Sequence, residues 1–274
     1  MKSAVTNLIL FLTGFYCIVA MLLFFTQRYF IFFPRGISKS QETGIRKFSP
    51  YEVNIEHNGF TLHGWFIKKD ISSDHSLIIY YGGNAEEVSQ NLFDLKKYGD
   101  HSLLLMNYRG YGKSTGRPGQ ATLFSDALFI FDHISKTYNI PSTDIILMGR
   151  SLGSGVATYV ARQRQVKAVV FITPFDNLVN IGKTHYPIFP VEILLRHPFD
   201  SVKIAPEITA PMIAIIAGRD KIIPNERSMN LVEHWGGDSH FVVIKNADHN
   251  SISNYPEYWY NIMSFLTKIG ERSG

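Results

Sequence analysis

The sequence predicts an α/β fold built on a mostly parallel sheet with helices on both faces, and three observations predict it. Short apolar runs alternate with longer stretches of helical character along most of the chain. Those runs carry little of the in-out polarity of a half-solvated sheet, as expected for strands covered on both sides. The chain has 274 residues, 45% of them hydrophobic, which suffices for one large buried core.

Taken in order, the first element stands apart from the rest. No charged residue lies between Lys2 and Arg28, and residues 4–25 read AVTNLILFLTGFYCIVAMLLFF. As a helix this run is about 33 Å long, enough to cross a hydrocarbon core of roughly 30 Å. Residues 1–27 are therefore expected to form a transmembrane anchor. A cleaved signal peptide would have a shorter apolar region, about 7 to 15 residues, and a small-residue cleavage site, whereas here the run continues to the aromatic stretch 29–33.

Residues 28–50 form a basic, aromatic juxtamembrane segment, with Arg28, Arg35, Lys39, Arg46 and Lys47 against Glu42 alone. This excess over Lys2 on the other flank favours a cytoplasmic body. Because the formal net charge is only +4 and concentrates here, the body is close to neutral and a poor match for nucleic acid. The single cysteine, Cys17, excludes an intramolecular disulfide and a cysteine-based zinc site. Neither a metal nor a cofactor is expected, and the oligomeric state is left open.

Residues 51–274 are expected to form the folded domain. Runs 51–56 and 60–68 flank Asn58-Gly59, a dipeptide that favours a tight hairpin turn. Strand-like runs 77–81, 102–107, 144–148, 168–172, 212–217 and 241–244 follow. All but one precede helix-like stretches, at 86–98, 121–138, 152–164, 226–235 and 256–268. After 168–172 the alternation breaks. Residues 174–211 contain Pro187, Pro190, Pro198 and Pro206 among Tyr186, Phe189 and Phe199, too long for a simple connection and too apolar for a linker. A small cap over the active edge of the sheet is expected there, with a solvent-exposed loop as the alternative.

In open α/β sheets the chemistry gathers at the carboxyl ends of the strands. Ser151, in Gly149-Arg150-Ser151-Leu152-Gly153, sits between an apolar run and a helix-like one. A serine on such a tight strand-to-helix turn is strained and exposes its hydroxyl, and its neighbours two positions away must lack side chains. Ser151 is thus the candidate nucleophile. It needs a base, itself oriented by a carboxylate. His249 and Asp220 each follow a predicted strand, after the serine and in the order acid then histidine. Read singly, Asp220 is a turn former and His249 a loop residue; together and in order they point to acyl transfer. Asp176, after the run 168–172, is the reserve acid, and Asp248 is expected to point elsewhere. For the oxyanion, one backbone N–H is expected from Leu152 and a second from Asn84, with Gly83 as the alternative, in the loop Tyr81-Gly82-Gly83-Asn84. Gly155 and Ala157 are expected to let the following helix pack close to the strand, with Ser154 a small packing residue.

With these residues and the stretches Gln27-Arg28-Tyr29-Phe30-Ile31-Phe32-Phe33-Pro34, Gly83-Asn84-Ala85-Glu86, Asn107-Tyr108-Arg109-Gly110-Tyr111-Gly112-Lys113-Ser114 and Ala217-Gly218-Arg219-Asp220, the chain resembles membrane-anchored α/β-hydrolases. It is similar to those of the type called α/β-hydrolase domain-containing protein 13, or Bem46-like. The resemblance covers essentially the full length. It implies the α/β-hydrolase fold behind an N-terminal transmembrane helix, a triad of Ser151, His249 and Asp220, and hydrolysis of an ester, thioester or amide. Two positions depart from the pattern: Gly82 stands where relatives usually have histidine, and Asp248 where such families often have a small residue. The expected activity is that of a serine hydrolase on a small acyl substrate, for example a lipid-derived ester. A serine peptidase or amidase and a catalytically silent binding module are the rivals.

Overall fold

Residues 2–69 and 76–271 are described by the structure, a computed structural model. Helix α1 (Lys2–Thr26) has no buried residue. A turn of helix α2 (Arg28–Ile31), helix α3 (Lys39–Ile45) and a 3₁₀ segment (Arg46–Tyr51) lead into the body. Helix α3 starts at a reciprocal cap: the Ser38 hydroxyl accepts from the Gln41 N–H, and the Gln41 side chain accepts from the Ser38 N–H.

Strands β1 (Glu52–His57) and β2 (Phe60–Ile67) form the expected hairpin. Asn58 and Gly59 both take positive φ, 50° and 75°, as a primed turn requires. The sheet continues through β3 (Leu77–Tyr81), β4 (Ser102–Met106), β5 (Ile145–Arg150), β6 (Ala168–Ile172), β7 (Met212–Ala217) and β8 (Ser239–Ile244). The eight strands run in the order β1-β2-β4-β3-β5-β6-β7-β8. Only β2 opposes its neighbours; the pairs from β4 to β8 are parallel.

Between the strands lie helices α4 (Gln120–Tyr138), α5 (Leu152–Gln163), α6 (Leu178–His185), α7 (Val191–Leu194), α8 (Ser201–Ile204) and α9 (Asn225–Glu233), and α10 (Pro256–Glu271) follows β8. Side chains alternate across the sheet with the strand's period of two. Leu77, Ile79 and Tyr81 of β3 pack with α4, α5 and α9, and Ile78 and Tyr80 with α10 and the segment Val88–Tyr98. The helix expected over 86–98 is a run of 3₁₀ turns, Val88–Tyr98. Its first donors are already committed: the Val88 N–H donates to the Asn107 carbonyl oxygen of the side chain at 3.2 Å, and the Ser89 N–H to Glu87. Segment 174–211 carries three short helices, α6 to α8, which periodicity alone could not resolve.

Candidate active site

At the end of β5 the chain turns straight into α5, and Ser151 at that junction has φ 50° and ψ −118°. A positive φ on a non-glycine residue costs about 1 to 3 kcal/mol and persists only where the surroundings impose it. Here the Ser151 N–H is held by the Ile172 carbonyl of β6 at 2.8 Å, and its own carbonyl accepts from the Ser154 N–H at 2.9 Å and the Ser154 hydroxyl at 2.7 Å. Ser154 is therefore a bonding residue of the turn as well as a small one. Gly149 and Gly153 permit the close crossing: a Cβ on Gly153 would collide with the Tyr81 carbonyl, and one on Gly149 with the Gly153 carbonyl. Gly155 differs from expectation. It faces segment 174–211, where a Cβ would come within 3.0 Å of Phe199 and 3.4 Å of Phe175, so its missing side chain admits these rings and not the strand.

The structure brings Ser151, His249 and Asp220 together from the ends of β5, β8 and β7. His249 Nε2 lies 3.0 Å from Ser151 Oγ, and His249 Nδ1 lies 2.7 Å from Asp220 Oδ2. A carboxylate is acceptor-only, so Nδ1 bears the proton and Nε2 is left to accept from the serine hydroxyl. The other Asp220 oxygen accepts the Ile222 and Ile223 N–H groups, each at 2.8 Å, which fixes the plane of the carboxylate. Ser151 and His249 are both buried.

Asp176 does not reach this group. Fully buried after β6, it accepts from the Asn177 N–H, from Asn180 at 2.8 Å, Asn230 at 2.9 Å and Arg227 at 3.1 Å. Asp248 turns into its own loop, accepting the Asn250 and Ser251 N–H groups at 2.9 and 2.8 Å. Those backbone hydrogen bonds hold its carboxyl below the ordinary carboxylate range.

Asn84 and Leu152 line the same cavity as Ser151. Leu152 opens α5, and the first N–H groups of a helix have no partner within it. The Gly83 N–H is taken by the Glu86 carboxylate at 2.8 Å. The Asn84 carbonyl is pinned by the Tyr111 hydroxyl at 2.6 Å and the Phe33 N–H at 2.9 Å.

Sequence reasoning missed the group that ties this loop to the turn. Glu86 accepts from Gly83, from Tyr80 at 2.8 Å, from Asn91 at 3.0 Å and from Arg150 at 3.2 Å, while Arg150 also reaches the His249 carbonyl at 3.4 Å. Burial pushes the Tyr80 phenol well above its ordinary pKa, keeping it a donor. The signal was available: Arg150 is the charged last residue of the otherwise apolar strand β5, and Glu86 lies in the loop that follows the apolar strand β3. The cavity measures about 1260 Å³. Its walls come from Asn84, Ser151 and His249, from Phe175, Leu178 and Leu194 of segment 174–211, and from Leu23, Gln27 and Phe30 of the N-terminal region. Among the described residues no cluster of three or more His, Cys, Asp or Glu side chains could hold a metal ion.

No protein-family model matches the chain. An uncharacterized protein of Mycobacterium tuberculosis, Rv2307c, is 30% identical over 234 residues, which is 85% of this chain and 83% of that protein. The α/β-hydrolase domain-containing protein WAV2 of Arabidopsis thaliana is 24% identical over 77% of this chain and 76% of its own length. Among solved structures, an esterase of Pyrococcus furiosus superposes with a TM-score of 0.66 at 20% identity, over 87% of this chain and 96% of that one. The strand order, the strained serine between β5 and α5, and these relatives lead to one assignment: the chain belongs to the α/β-hydrolase domain-containing protein family.

Proposed function

We propose that the protein is a serine hydrolase cleaving an ester or thioester through a Ser151-His249-Asp220 triad. The observation that carries this reading is the pair of hydrogen bonds, 3.0 and 2.7 Å, linking the three side chains beside the cavity. His249 takes the Ser151 proton as Oγ attacks the substrate carbonyl, and the tetrahedral oxyanion is stabilised by the backbone N–H groups of Asn84 and Leu152. His249 then returns the proton to the leaving group. Water repeats the sequence on the acyl-enzyme, releasing the acid and restoring Ser151. The esterase among the structural neighbours favours an oxygen ester as the first substrate to try.

Within this reading α1 is a membrane anchor, 25 residues long with mean hydropathy 2.6 across its most apolar window and none of that window buried. Residues 28–50 form the juxtamembrane segment, residues 51–274 the catalytic domain on the cytoplasmic side and 174–211 its cap. This arrangement is that of the domain-containing protein 13, or Bem46-like, branch.

The test uses the full-length protein in detergent with a fluorophosphonate probe, followed by a panel of esters, thioesters and amides. Covalent labelling and ester turnover that both vanish in Ser151→Ala support the proposal. Labelling that persists in Ser151→Ala, or turnover indifferent to it, refutes it.

A further inference from the structure

We propose that the turn at 186–193 is a second membrane-inserted element, and that it opens the cavity sideways to the acyl chains of the bilayer; this rests on α1 being a bilayer span. Tyr16 lies ten residues before Thr26, about 15 Å along the helix axis. At that height its hydroxyl donates to the Ile188 carbonyl at 2.8 Å, and its ring stacks on Phe189 with centroids 5.3 Å apart. The turn therefore climbs beside α1 to roughly half the depth of a hydrocarbon core of about 30 Å.

Its surface suits that depth. Ile188 and Ile193 are 71% and 76% exposed, and Tyr186 is 52% exposed, a grouping that a protein surface bathed in water seldom shows. Between residues 186 and 195 the only carboxylate is Glu192, and it is paired with Lys183 at 3.4 Å. Backbone polar groups in lipid have to be satisfied within the protein. Here Pro187 and Pro190 have no N–H, the N–H groups of Phe189, Val191, Ile193 and Leu194 donate to carbonyls of the same turn, and Tyr16 serves the Ile188 carbonyl. The polar boundary lies just below. The Arg196 guanidinium sits 5.5 Å over the Phe24 ring, and Gln27 closes the junction, donating to the Leu194 carbonyl at 2.9 Å and accepting from the Arg196 N–H at 2.7 Å. Leu23, Tyr186, Phe189 and Leu194 line the cavity that reaches Ser151. The anchor is thus one wall of the substrate site, and a long-chain acyl ester carried in the bilayer is the substrate class that fits it.

Two measurements on full-length protein in phosphatidylcholine vesicles test this. In the first, a fluorophore is placed on native Cys17, or on Ile188→Cys or Ile193→Cys in a Cys17→Ser background. The expected result is that all three are quenched by a nitroxide on the lipid chain and protected from aqueous iodide. Quenching at Cys17 with iodide access at 188 and 193 overturns the inserted turn while leaving the anchor in place; iodide access at Cys17 overturns both.

The second measurement compares substrates. Joint Ile188→Glu and Ile193→Glu substitution, at two side chains outside the cavity wall, is expected to slow a vesicle-borne long-chain ester about tenfold or more and to leave a short water-soluble ester unchanged. Equal rates of the two proteins on both substrates, or equal losses on both, refute lateral entry. Failure of the wild type to cleave either ester, with no fluorophosphonate labelling that depends on Ser151, refutes the hydrolase reading instead, which the quenching result does not depend on.

Discussion

The same residue types live in opposite surroundings in the two halves of this molecule. Leu77, Ile78, Leu104, Leu147 and Phe171 in the sheet are wholly buried, whereas Leu10, Phe11 and Phe25 of α1 are 65%, 68% and 68% exposed. The central strands β3 to β7 are covered by helices of the same chain, so their apolar surface is satisfied internally. Helix α1 has no such cover, and its apolar surface needs another solvent. The two regions meet at segments 28–35 and 186–197, where Phe32 is buried against His197 and Phe199. The difference teaches that the proposed chemistry rests on the self-sufficient half, while the proposed access to it rests on the half that is not.

The sharpest way to break this division is at the serine. Ser151→Ala is expected to lower turnover of every substrate by about 10⁴-fold or more, in vesicles and in water alike, while thermal unfolding stays unchanged. A loss restricted to vesicle-borne substrate would mean that Ser151 serves access instead of chemistry. The two carboxylates make the next contrast. Asp220→Asn is expected to reduce kcat about 10⁴-fold with little effect on stability, since Nδ1 of His249 would face a group able to donate and lose its fixed tautomer. Asp176→Ala leaves Arg227, Asn180 and Asn230 without their shared acceptor. It is expected to destabilise the fold by about 3 kcal/mol, read as a lower denaturant midpoint, with kcat of the remaining folded protein near wild type.

A smaller effect is expected at the junction. The Gln27 side chain is buried and bridges the end of α1 to Leu194 and Arg196. Gln27→Ala strands that donor and acceptor, at about 1 to 3 kcal/mol. Turnover of a vesicle-borne ester should fall several-fold with a short soluble ester unaffected, because the loss loosens the wall of the cavity and not the group around Ser151. Parallel losses on both substrates would show that the two regions are energetically one.

How much of this was legible in the sequence follows the same division. Most strand and helix positions in the body could be read because short apolar runs alternate with longer helical stretches, and Asn58-Gly59 marked its hairpin by backbone preference alone. Ser151, Asp220 and His249 could be picked out because strand ends in a parallel sheet share one edge. Contacts between distant segments left no local trace. The role of Gly155 depends on Phe175 and Phe199, which arrive from segment 174–211, and the Val88 N–H that opens the 3₁₀ run Val88–Tyr98 is capped by Asn107 from beyond β4. The bond from Tyr16 to Ile188 spans 172 positions, and no pattern within either segment announces it.

Protonation offers the gentlest probe of the junction. Burial, with the nearby positive charges of Arg28 and Arg196, holds the His197 pKa below its ordinary value of 6.5. The fold therefore favours the neutral ring, which stacks edge-on against Phe32 with centroids 5.3 Å apart and whose Nδ1 lies 3.4 Å from the Gln120 N–H, positioned to accept it. A histidine whose pKa is lowered on folding contributes its stability above the unfolded pKa and loses it as pH falls from about 6.5 through the folded value. Acidification over that window should add a third cation beside Arg28 and Arg196 and loosen segment 28–35 from the body. Hydrogen exchange at the Phe32 and Phe33 amides should rise as pH is lowered, once corrected for intrinsic rates, and His197→Gln should flatten that rise because glutamine has nothing to titrate. An equally steep response in His197→Gln would move the pH sensitivity away from the junction and into the body, where burial likewise lowers the pKa of His63.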